Sequence, residues 1–122
     1  MRTTQEIGDD LFDGMRELSV AVVGRPIPAP ELYVILGNLE AAGGYNLAEL
    51  LGRLAIGLER SLDEYNVYED DGADPSHRVR LTKALLRRAA SHAQQITLCL
   101  EAAHCEIAGQ GHHGRAVVAG GS

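Results

Sequence analysis

The sequence predicts an all-α chain: a small helical bundle built on a long antiparallel helical hairpin with coiled-coil-like packing. Three observations lead there. After Pro75 no Gly or Pro interrupts the chain until Gly109, and Val79, Leu86, Ala89, Ala93, Ile96, Leu100, Ala103 and Ile107 step through heptads with only Thr82 out of place. A second stripe, Leu47, Leu51, Leu54, Leu58 and Tyr65, widened by Leu50 and Leu62, precedes it. Trp is absent and Phe12 is the only Phe, so the core must come from Leu, Ala, Ile and Val, which suits close helix packing.

Four helices follow in order, at about 3–23, 30–42, 46–68 and 75–108, in one domain spanning 1–108. The first opens on Thr3, whose hydroxyl can cap while Glu6 stands at the capping-box position. Ile7, Leu11, Met15, Leu18 and Val22 then repeat at helical spacing, and Gly24 supplies the stop. Pro26, Pro28 and Pro30 alternate through the connector and stiffen it, with Pro30 also suited to the first turn of the second helix. That helix carries Leu32, Ile35, Leu36 and Leu39 and is expected to end at Gly43-Gly44. Asn46, with Glu49 three residues on, reads as the cap of the third helix. The acidic turn 69–74 leads to Asp74-Pro75, the start of the fourth.

Short connections between the second and third helices and between the third and fourth predict antiparallel neighbours, with the first two helices packed on the hairpin. Gly52 and Gly57, inside the third helix, suggest a close helix–helix approach. From Gly109 the periodicity dissolves, and residues 109–122 read as a flexible tail.

Charge is unevenly spread over a net −6: residues 1–74 hold fifteen acids and five bases, residues 75–122 two acids and six bases. The basic half can neutralise the acidic half, within one chain or between copies. Arg78, Arg80, Lys83, Arg87 and Arg88 concentrate this charge, with Arg80, Lys83 and Arg87 on one ridge. The ridge is a candidate for an acidic partner or for phosphate. No tight helix-turn-helix precedes it and no aromatics interleave, so pairing with the acidic half is the favoured reading.

Glu101 and His104 share a helix face at the Glu-x-x-His spacing of carboxylate-bridged metal bundles. Those sites need two such motifs and further glutamates. Here a second copy would have to supply the other motif, with Glu40, Glu59 or Glu64 as extra carboxylates, so metal is not favoured and no cofactor is expected. Cys99 and Cys105 lie six apart on one helix, point to different faces and cannot bridge; both are expected as buried small apolar residues in a reducing compartment. No apolar run reaches the ~20 residues of a membrane span, and the acidic N-terminus is unlike a signal peptide, so the cytoplasm is the expected location.

No phosphate loop, nucleophile elbow or calcium-loop spacing can be drawn. The functional expectation is a non-enzymatic interaction, assembly or regulatory module that self-associates and meets a protein partner through helical surfaces. A nucleic-acid-associated regulator using the basic ridge is the first alternative, and a metal-binding bundle using Glu101 and His104 the second.

Overall fold

The computed structural model describes residues 1–111 and 113 and holds four α-helices: α1 (Thr4–Ala21), α2 (Ala29–Leu39), α3 (Asn46–Glu64) and α4 (Pro75–Ile107). No strand occurs among the described residues, so the chain is a small all-α bundle in which α2, α3 and α4 pack together. The predicted punctuation works at both capped ends. The Thr3 hydroxyl accepts the Glu6 N–H at 3.1 Å, and the Asp74 carboxylate accepts the Ser76 N–H at 2.9 Å. That hydrogen bond holds the Asp74 carboxyl below its ordinary range. Gly24 takes φ +68, a left-handed value that ends α1 at slight cost only because glycine has no Cβ. Arg25 ties the corner, its Nε donating to the Ala21 carbonyl at 3.0 Å while its guanidinium pairs with Glu31 at the start of α2.

The predicted break at Gly43-Gly44 does not occur. Glu40–Tyr45 forms one π-helical turn that joins α2 to α3 without leaving helical backbone. Asn46, at φ −68 and ψ −37, is therefore helical and caps nothing. Helices α2 and α3 are thus end-to-end parts of one rod instead of antiparallel neighbours. The rod and the 33-residue α4 lie side by side, each about 50 Å long. The α3–α4 pairing is antiparallel: Glu59 meets Lys83 near one end, and Tyr45 meets Glu101 near the other. α3 also stops at Glu64, earlier than expected; Tyr65 is extended (φ −123, ψ 154).

The π turn explains why two glycines sit mid-rod. Gly44 is buried against α4, and an added Cβ there would overlap the Thr97 hydroxyl and lie 2.8 Å from Thr97 Cβ and 3.1 Å from its Cα. This is the close approach that was assigned to Gly52 and Gly57, around which a Cβ would meet nothing within 4 Å.

The core is thin. Its buried apolar residues are Ala29, Leu36, Ala55, Val79 and Ala93, joined by Thr97. Beyond its first turn, the buried and half-buried positions of α4 are 79, 83, 86, 89, 90, 93, 97, 100, 101, 104 and 107, a stripe at near-heptad spacing that widens at 89–90 and 100–101. Val79, Leu86, Ala89, Ala93, Leu100 and Ile107 lie inward as predicted. The other half of the seam falls one residue later. Lys83, Ala90, Thr97 and His104 turn inward, whereas Thr82, Ile96 and Ala103 are exposed. Cys99 and Cys105 are exposed free thiols, contrary to the expectation of burial.

α1 is the loosest element. Contrary to the expectation that it packs on the hairpin, it buries no residue and closely contacts no other helix, although Ile7, Leu11, Met15, Leu18 and Val22 face the rod across open gaps. Apolar gaps remain between the two: about 280 Å³ flanked by Met15, Leu18, Ile35 and Leu39, and about 410 Å³ flanked by Ile7, Leu11, Leu50 and Leu54. The expectation of a tail covers residues 112 and 114–122, which lie outside the described residues.

Candidate interaction surfaces

One polar cluster forms where the π turn meets the last third of α4. His104 sits inward on α4 with its ring stacked on Tyr33, centroids 3.9 Å apart and planes tilted by 32°. Its Nδ1 lies 3.4 Å from Glu40 Oε1, a close ionic approach when the imidazole is protonated. Glu40 Oε1 and His104 Nε2 are both enclosed and lack hydrogen-bond partners. Beside them the Tyr45 hydroxyl donates to Glu101. That bond, followed by burial and the charges of Glu101 and Glu40, raises the Tyr45 phenol above its ordinary value.

The sequence motif Glu101-x-x-His104 is therefore split between two partners: Glu101 accepts from Tyr45, and His104 turns to Glu40. Glu40 is one of the three carboxylates singled out as possible companions. Glu59 instead pairs with Lys83. Among the described residues, no three His, Cys, Asp or Glu side chains converge as donors for a metal ion. Tyr33 and Tyr45 were missed in the sequence because an aromatic on a wet helix edge carries no periodic signal. Only the turn that brings α2 and α3 into line places both against α4.

The basic ridge divides into two groups. Arg78 bonds Asp71 (3.0 Å) and approaches Glu69 (3.7 Å), and Lys83 pairs with Glu59 across the α3–α4 seam. Arg80, Arg87 and Arg88 make no ion pair among the described residues and are exposed. The acidic half thus neutralises Arg78 and Lys83, and three arginines remain facing solvent.

Lys83 holds the Glu59 carboxyl below its ordinary value of 4.5, first through the hydrogen bond and then through charge. A carboxylate lowered on folding contributes stability above its unfolded pKa and loses it as pH falls through the folded one. The Lys83→Met variant is accordingly expected to lose less of its melting temperature below pH 4.5 than the wild type. Thermal scans of both proteins from pH 7 to pH 3 check this, and equal acid slopes would remove the pair from the stability account.

The largest wet surfaces are apolar. Leu81, Leu85 and Ile96 are exposed along one flank of α4, and Leu98 along the opposite flank; Phe12, Val20 and Val23 are exposed on α1 and its C-terminal end. The accessible surface totals 9691 Å². No helix among the described residues is long and apolar enough to cross a membrane. No family model, curated protein or solved structure matches this chain.

Proposed function

We propose that the chain is a non-enzymatic protein–protein interaction module, an assembly or regulatory subunit that acts through its helical faces and self-associates. The observation that carries this reading is the mismatch between apolar surface and core. Leu81, Leu85, Ile96, Leu98, Phe12, Val20 and Val23 stand exposed, while the buried apolar core holds one Leu, one Val and three Ala. A lone Leu in solvent is ordinary, but stripes of them along two helices are the signature of a face awaiting a partner. Antiparallel α3 and α4, with an inward stripe at near-heptad spacing on α4, support coiled-coil-like packing as the mode of contact. Free, exposed Cys99 and Cys105 suit a reducing compartment such as the cytoplasm.

The test combines the native mass of the purified chain over a range of concentrations with crosslinking of the tagged chain in its own host. The expected result is a discrete assembly heavier than 13.1 kDa. A chain that stays monomeric at every concentration and crosslinks to nothing counts against the reading.

Exposed and unpaired Arg80, Arg87 and Arg88 favour one second reading, contact with nucleic-acid phosphate. The acidic remainder of the molecule opposes it. The expected outcome is no shift of any duplex at low salt. A steeply salt-dependent shift, abolished when the three become Ala, would instead support the second reading.

A further inference from the structure

Residues 29–52 and 89–111 contain neither Lys nor Arg. The part of the bundle built from α2, the π turn, the start of α3 and the end of α4 therefore holds its carboxylates without a permanent cation among them. Glu31 and Glu49 pair outside these stretches, with Arg25 and Arg53. Glu40 and Glu101 have no such partner among the described residues, and they lie close enough together that both charges act on the Tyr45 hydroxyl. Of the described histidines, His77, His92 and His113 are exposed and only His104 turns inward. It is the one side chain here placed to bring positive charge to Glu40.

We infer that His104 and Glu40 form a proton-operated latch between the rod and α4, closed when the imidazole is protonated and loosened when it is neutral. Few groups face His104. From α2 the Tyr33 ring stacks on it, and a Cβ added at Gly37 would stand 3.7 Å from Nε2. From the π turn, Glu40 Oε1 approaches Nδ1 at 3.4 Å; on α4 itself Glu101 stands one turn earlier, bonded to Tyr45. The Glu40 approach is not aligned as a hydrogen bond, so a neutral imidazole leaves an enclosed carboxylate oxygen unsatisfied, at a cost to stability. Attraction between charges does not need that alignment, and protonation turns the same approach into an ion pair. Nε2 is unpartnered in either state, so the difference falls on Glu40. Burial opposes the imidazolium, but His104 keeps 21% of its side-chain surface, and the more enclosed partner, Glu40 at 14%, is the one that gains.

Unfolding separates the two side chains, so only the folded chain holds the imidazole beside Glu40 and Glu101. The folded pair therefore keeps a proton that the unfolded chain gives up more readily. Its contribution is present at low pH and lost as pH rises through the imidazole range, about pH 5 to about pH 8. The Glu59–Lys83 pair responds in the opposite direction, weakening only where acid reaches its lowered carboxyl. The two effects separate on the pH axis. Loosening is expected at the π turn, because Glu40 opens that turn and its hydrogen-bonding geometry is poorer than that of the flanking α-helix.

The experiment follows the full chain by NMR from about pH 8 to about pH 5, reading the His104 ring shift and the amide protection factors of residues 40–45, with thermal melts in parallel. Protection is expected to rise about tenfold or more in step with the His104 titration, and the melting temperature to rise with it. Glu40→Gln keeps the size and removes the charge, and His104→Phe keeps an aromatic ring against Tyr33. Each should lose both rises, whereas His92→Gln should keep them. The wild-type titration needs no variant, so it decides the matter even where a variant fails to fold. A melting temperature that stays flat or falls toward pH 5, or protection that ignores the His104 titration, overturns the latch. So does a rise that survives in Glu40→Gln or disappears in His92→Gln.

Discussion

Gly44→Ala is expected to lower the melting temperature by roughly 10 °C, on a destabilisation of roughly 3 kcal/mol. Two effects oppose each other. Gly44 sits in helical backbone, where alanine is better by about 1 kcal/mol, so propensity alone predicts a gain. The new methyl, however, would overlap the Thr97 hydroxyl and stand 2.8 Å from Thr97 Cβ. Thr97 cannot give way easily: only 4% exposed, it bonds the Ala93 carbonyl at 3.0 Å through its Oγ1. Its Cα, 3.1 Å from the added methyl, is backbone, so the two helices must separate. Sterics win.

The check is a double-mutant cycle by thermal and denaturant unfolding. Thr97→Ala removes the hydroxyl but leaves Cβ and Cα, so it should recover only part of the loss. Thr97→Gly clears Cβ as well and should recover more, less the helix cost of a new glycine. Wild-type stability in Gly44→Ala would show that the rod does not lie as close to α4 as Gly44 indicates.

Gly44 also marks where sequence reasoning stopped. Gly-Gly followed by Asn and Glu is a good local description of a helix end and a new cap, and local chemistry had no reason to prefer a π turn. The decision is made 53 residues downstream, by buried Thr97, against which only a glycine can pass. The same distance effect explains the seam of α4. Choosing apolar residues for every inward place selects Ile96 and Ala103, since a heptad wheel scores hydrophobicity. In the folded chain Thr97 and His104 take those places and Lys83 takes that of Thr82, because each has a partner waiting: the Gly44 notch, Glu40 and Glu59. Helical class, the α1 and α4 caps and the seven-residue period were legible because they depend on neighbours in sequence. The Tyr33–His104 stack and the Tyr45–Glu101 bond were not, because they depend on a π turn whose cause is tertiary.

Leu36→Ala is expected to cost about 3 kcal/mol, within the 2–5 kcal/mol range for emptying a buried leucine site. Leu36, 8% exposed, is the largest of the buried apolar residues; the others are Val79 and three alanines. Its site borders half-exposed Leu32 and Leu39, which can relax inward, so the upper end of the range is not reached. Chains of this size are stable by 5–15 kcal/mol, and a core made largely of alanine belongs low in that interval, so this loss should take the variant close to unfolding at 37 °C.

The contrast with Leu85 separates core from interface. Leu36 and Ala29, seven apart and both buried, belong to the side of α2 that packs on α4. Leu36→Ala should therefore lower the denaturant midpoint while the folded fraction keeps the wild-type mass. Leu85→Ala should do the reverse, weakening association but sparing the midpoint measured at concentrations where the chain is monomeric. Equal midpoints for Leu36→Ala and the wild type would mean that the rod and α4 owe their contact to the polar bridges alone.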